Sequence, residues 1–159
     1  MTRYNVPLIE QVRDVIADED KHDQSLWARI SKAALGATPK KLLDKFGYSY
    51  VEVSCPTAAC VAGWAATLAG AQMVIPQSDY RYQGNGSIQV QDVLVDGEVK
   101  SIARFAREQL GLTSDEADAL FAAEWTNEDV LDNLDDILCA ARHGQDWEIR
   151  YVEEEDGDY

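Results

Sequence analysis

Cys55 and Cys60 bracket the sequence Cys-Pro-Thr-Ala-Ala-Cys, and their side chains have the most chemistry to offer. A thiolate is both a nucleophile and a soft metal ligand, and the positive end of a helix lowers the pKa of a thiol placed there. Thr57 is positioned to cap a following helix, which would put Cys60 near its third position. The spacing argues against a specific centre. Dithiol redox sites use Cys-x-x-Cys, and most structural zinc sites pair cysteines two to four apart with a second pair elsewhere, whereas the remaining ligand types here are His22, His143 and Cys139. Two buried cysteines acting as small hydrophobes is the favoured reading, with no metal or cofactor expected. His22 next to Asp23 could serve as a base, but with no nucleophile placed beside it a capping or core role is expected. Trp27, Trp64, Trp125 and Trp147 read as core anchors. The sequence has no Gly-rich phosphate loop, His-Glu-x-x-His or Ser-centred elbow, so no catalytic residue is assigned and a non-enzymatic protein is expected.

The second signal is charge. The formal net charge is −15, and its placement is lopsided: residues 1–107 hold 12 basic and 12 acidic side chains, residues 108–159 hold 2 and 17. Asp115, Asp118, Glu128, Asp129, Asp132, Asp135 and Asp136 fall between Arg107 and Arg142 with no Lys or Arg among them, a block of strong negative potential. They are the candidate partner-binding residues. The plain alternative is a solvated face that keeps the chain soluble. Such a surface excludes direct binding of nucleic acid or anionic membrane, which both need cations.

The elements that would position these groups are mostly helical. Pro7 can open a helix with Leu8, Ile9, Val12, Val15 and Ile16 on one face. A second helix is expected from Ser25 through Trp27 and Ile30 to Gly36, a turn or two from Pro39 through Lys45, and a strand over 48–54. Between Glu52 and Asp79 no charged residue occurs, and over 56–75 Ala59, Gly63, Ala66 and Gly70 share one side of a helix opposite Val61, Trp64 and Leu68. That helix should run through the centre of the fold, its glycines admitting another backbone closely. A hairpin is expected around Gly84-Asn85-Gly86, and Asp96-Gly97 should lead into a helix carrying Val99, Ile102, Ala106 and Leu110 that ends at Gly111. Thr113-x-x-Glu116 and Thr126-x-x-Asp129 have the form of capping boxes. The last helix should bury Val130, Leu131, Leu134, Ile137 and Leu138 and turn Asp129, Asp132, Asp135 and Asp136 outward.

Together these give an α+β fold, mainly α: one domain over 1–151 of about five or six helices around the Ala/Gly-rich helix, a small antiparallel sheet, and an acidic flexible tail over 152–159. An odd cysteine count of 3 without a signal peptide fits the cytoplasm. A transmembrane reading of 56–75 is weaker, since Ala and Gly add little hydrophobicity.

Cys55-x-Thr57-x-x-Cys60-x-Ala62-Gly63-Trp64-Ala65, with His22-x-Gln24-x-x-Trp27 before it and Leu110-Gly111-Leu112-Thr113 to Ala119-Leu120-Phe121 after it, resembles a family of small uncharacterised bacterial and actinobacteriophage proteins. The resemblance spans roughly residues 20–126. Pro56 stands where that family commonly has Gly. The resemblance implies a phage or bacterial accessory protein, in the host cytoplasm if phage-encoded, and brings no activity or catalytic residue with it.

Three roles follow. The first is a binding module that engages a basic host protein through the acidic helices, with a nucleic-acid mimic as its special case. The second is recognition through a short segment, because Gln91 to Val95 and Asp118 to Phe121 loosely resemble peptides that bind bacterial sliding clamps. The third is a thiol or zinc protein centred on Cys55 and Cys60.

Overall fold

A computed structural model describes residues 2–31, 41–45, 48–52, 58–76 and 87–149, with the side chains of 30, 31, 41–45, 48–52, 87 and 88 left aside. Its architecture is α+β. Five α-helices occur among the described residues: α1 (Val6–Ile16), α2 (Val61–Leu68), α3 (Ile102–Leu110), α4 (Ser114–Leu120) and α5 (Asn127–Arg142). Seven strands accompany them: β1 (Ala28–Ser31), β2 (Lys41–Lys45), β3 (Tyr48–Glu52), β4 (Gln72–Pro76), β5 (Ser87–Val90), β6 (Asp92–Val95) and β7 (Glu98–Ser101). An antiparallel sheet runs in the order β2-β3-β4-β6-β7, and β1 and β5 form a separate antiparallel pair. No described helix is long and apolar enough to cross a membrane.

The centre of the molecule is the Ala/Gly-rich segment. Ala58 to Ala62, Ala65 and Ala66 are each 0–1% exposed. The helix within it is shorter than 56–75: it occupies Val61–Leu68, with Cys60 at the N-cap. Thr57 lies outside the described residues, and Cys60 stands ahead of the first turn, not in it. The two glycines differ in their reasons. A β-carbon on Gly63 would meet the Trp27 carbonyl oxygen at 1.8 Å, so the close backbone approach is real there. Gly70 meets nothing within 4 Å and instead takes φ +87°, ending the helix with Ala71 N–H bonded to the Ala66 carbonyl. The chain then continues as β4, which helical periodicity had absorbed into the same element.

Three further expectations are corrected. Ala28–Ser31 is a strand, not part of a helix from Ser25: its partners in β5 lie some sixty residues on in the sequence, at Ala28↔Val90 through Ser31↔Ser87. Lys41–Lys45 is also a strand, paired with β3. Asp96-Gly97 is the two-residue turn of a β6–β7 hairpin, with φ 49° and 79°, the twist that suits a right-handed strand pair. Val99 therefore belongs to β7, and α3 starts only at Ile102, with Ser101 Oγ accepting from Arg104 N–H. The expected hairpin at 84–86, Cys55 and the acidic tail fall outside the described residues.

α1, α4 and α5 form as their sequence signals dictate. Both capping boxes are complete. Leu8, Ile9, Val12 and Ile16 of α1 and Val130, Leu134, Ile137 and Leu138 of α5 are buried in one core with α2 and α3.

Candidate functional site

Three stretches of the chain, 21–29, 58–68 and the end of α4, come together. The stretch 21–29 lies along the entry to α2: Asp23 N–H donates to Ala59 O, Cys60 N–H to Leu26 O, and Arg29 N–H to Ala58 O, at 2.8–3.0 Å. Trp64 Nε1–H donates to Lys21 O at 2.7 Å. His22, half-buried, sits between Gln24 and Asn127: Nε2 is 2.8 Å from Gln24 Oε1 and Nδ1 is 3.0 Å from Asn127 Nδ2. Because an amide nitrogen only donates, Nδ1 accepts and Nε2 carries the proton. Gln24 Nε2 then donates to the carbonyls of Leu120 and Ala122, closing the last turn of α4. His22 is thereby a structural clip, and no nucleophile among the described residues contacts it.

The Cys60 thiol is equally occupied. It is 1% exposed and points to the Trp27 carbonyl at 3.8 Å. Burial pushes its pKa up to about 11, against the opposing pull of the Gly63, Ala62 and Cys60 backbone N–H groups. Such a thiol carries almost no thiolate at neutral pH, so neither a nucleophile nor a metal ligand is prepared at this position. No group of three metal-ligating side chains occurs among the described residues.

The acidic candidates divide. Along α5, Glu128, Asp132, Asp135 and Asp136 are all exposed, at a spacing that keeps them on one side of the helix over about 12 Å. Asp135 is held by Arg13 in a two-pronged pair, with Nη2 at 3.0 Å from Oδ2. The Arg13 pKa is raised first by that hydrogen bond, against burial, and then by the charges of Asp135, Asp14 and Asp132. Among the described residues no cation lies within ion-pair distance of Glu128 or Asp132. Asp129 is half-buried instead, its Oδ2 accepting from Thr126 N–H to close the capping box. Asp115 and Asp118 are exposed on α4, and Asp118 borders a different feature, a cleft beside α3. The candidates therefore form one ridge on α5 and two outlying carboxylates. At the far end of α5, Asp136, Cys139 and His143 line a shallow cavity of about 490 Å³ with Asp146 and Trp147. His143 Nδ1 lies 2.8 Å from the Cys139 carbonyl, which can only accept, so that nitrogen is not a base toward the Cys139 thiol.

The sequence reading missed two arrangements. The first joins the N-terminus to α4: Arg3 bonds Glu116 at 2.6 Å and the Gly111 carbonyl at 2.8 Å, Tyr4 donates to Glu116 Oε2, and Trp147 N–H donates to Tyr4 OH at 2.8 Å. Burial of Glu116 acts to raise its pKa, but the hydrogen bonds from Arg3, Thr113 N–H and Tyr4 prevail and hold the carboxyl below its ordinary value. The second is the cleft beside α3, of about 460 Å³, where Trp27 and Phe121 meet edge to face with ring centres 6.2 Å apart. Both assemble residues from distant parts of the chain.

The short segments that resemble clamp-binding peptides are not free to bind. Asp92–Val95 is flanked in the sheet by β4 and β7, and Leu120 and Phe121 are 1% and 7% exposed. No family model, no curated protein and no solved structure matches this chain.

Proposed function

We propose that this chain is a small non-enzymatic binding protein, a phage-type accessory of the host cytoplasm, that docks a host protein with a basic surface along the α5 ridge. The observation that supports it is the row of exposed carboxylates Glu128, Asp132 and Asp136 beside the Arg13-held Asp135. A rigid helix presenting like charges in one row steers a cationic partner and speeds encounter, while adjacent packing sets affinity. Outlying Asp115 and Asp118 extend the field, and Asp129 serves the helix cap.

The test is affinity capture by the intact protein at low and high salt, set against a Glu128→Lys, Asp132→Lys, Asp136→Lys variant. A partner that washes off with rising salt and is lost by the variant supports the reading; a partner held equally by the variant overturns it. Displacement of that partner by duplex DNA would identify the nucleic-acid-mimic form. The thiol or zinc reading loses support from the buried, high-pKa Cys60.

A further inference from the structure

We propose that the cleft between α3, α4 and Trp27 is a binding site for a small aromatic anion, a ring bearing a carboxylate or a phosphate monoester. The cleft is separate from the α5 ridge and opposite in preference.

Its volume of about 460 Å³ falls within the range of small-molecule sites. The half-buried indole of Trp27 and the ring of Phe121 supply an aromatic wall, and Ala103 and Ala117 are small enough to leave room for a ring against it. The polar side is cationic. Arg104 and Arg107 both line the cleft. Arg104 shares Glu108 with Lys100, at 3.1 Å and 3.8 Å, so a single carboxylate serves two cations. Arg107 donates through Nη1 to Ser114 Oγ at 2.6 Å, and among the described residues it has no carboxylate partner. A guanidinium has five N–H donors in a fork matched to carboxylate and phosphate oxygens, so Arg107 retains the donors for a two-pronged contact. On a chain of formal charge −15, the cleft lining carries two cations, Arg104 and Arg107, against one carboxylate, Asp118, so an anion is tolerated there. Asp118 on the rim opposes an anion, so its charge sets the affinity without holding the fold: it is exposed, at the fifth position of α4.

The experiment titrates the protein with 1-naphthyl phosphate and, separately, with 1-naphthoate, following the indole N–H resonance of Trp27, assigned by its loss in Trp27→Phe. At least one probe should bind saturably at one site. Which of the two binds tells phosphate from carboxylate as the anionic group. Inorganic phosphate and 1-naphthol at the same concentrations should leave the resonance in place, because each lacks half of what the cleft recognises. Arg107→Gln should weaken binding about tenfold by removing charge-assisted hydrogen bonds, and Asp118→Asn should strengthen it several-fold. The signs of the two effects are opposite, so a loss caused by unfolding is distinguished from loss of the contact. Absence of saturable binding by both probes, equal binding of 1-naphthol, or an Asp118→Asn variant no tighter than the parent overturns the proposal.

Discussion

The carbonyl oxygen of Trp27 lies 1.8 Å from the point where a side chain on Gly63 would place its β-carbon. The strap 21–29 and helix α2 are therefore in backbone contact, and Gln24 of the same strap ties the end of α4 to them. Gly63→Ala should cost about 2–4 kcal/mol, since the obstacle is main chain that is itself bonded to Ala58–Cys60 and cannot step aside alone. Gly70→Ala, where nothing crowds the β-carbon and only φ +87° is at stake, should cost about 1 kcal/mol. Urea unfolding of the two variants gives the comparison, and an equal loss would refute the backbone-contact account.

Thiol reactivity should sort by burial. Cys139 is exposed on α5, whereas Cys60 is 1% exposed with its pKa raised to about 11. Iodoacetamide applied to the native protein at neutral pH should modify Cys139 and leave Cys60 intact until denaturant is added. Peptide mass spectrometry reads both sites at once. Rapid native labelling of Cys60 would restore the thiol reading.

What was legible in the sequence is local. α5 could be read because Thr126 caps it and because Val130, Leu134, Ile137 and Leu138 return at one helical face, and every one of these signals lies within sixteen residues of the others. β1 and β2 were not legible: Trp27, Ile30 and Ala34 are spaced as on a helix, and what makes Ala28–Ser31 extended is a partner at Ser87–Val90. The Asp96-Gly97 pair was ambiguous in isolation, since the same dipeptide opens helices and closes hairpins, and Val93↔Lys100 pairing decides it. The α5 ridge follows directly from sequence periodicity, except that Asp129 turns back to its own cap. The Arg107 cleft and the Arg3–Glu116 cluster could not be foreseen, because their members are brought together only by the packing of α1, α3 and α4.

Glu116 makes the protein sensitive to acid. Its carboxyl is held below the ordinary value in the folded state, so the stabilisation it provides is complete above the ordinary carboxylate range and is lost as pH falls through the folded-state pKa. Glu116→Gln should lower stability at neutral pH by about 1–3 kcal/mol, because the buried anion shared by Arg3 and the Tyr4 hydroxyl is lost and Arg3 keeps only the exposed Asp146, and should flatten the acid limb. Tyr4 acts at the other end. Burial, then its hydrogen bond to Glu116, raises its pKa, so its contribution is present below the ordinary tyrosine pKa and lost as pH rises beyond it. Denaturation midpoints measured across pH check both limbs, and an acid limb unchanged in Glu116→Gln would remove this assignment.

At Asn133 the fold gives up stability. It lies in the middle of α5 at 0% exposure, and neither Oδ1 nor Nδ2 has a hydrogen-bond partner among the described residues. A buried amide without partners carries a desolvation cost of about 1–3 kcal/mol, and Val130 and Ile137, one turn before and one turn after Asn133, are buried and apolar. Asn133→Leu keeps the branched skeleton of four side-chain heavy atoms, puts two slightly bulkier methyls in place of the amide oxygen and nitrogen, removes both polar atoms and improves helix propensity. The urea midpoint should therefore rise, corresponding to about 1–2 kcal/mol, while Asn133→Ala should fall below the parent because it leaves a cavity. The two substitutions separate loss of the amide from loss of the space the side chain fills. If Asn133→Leu instead destabilises by as much as Asn133→Ala, the amide is engaged in the native protein, and the core beside α5 holds a polar contact that the fold depends on.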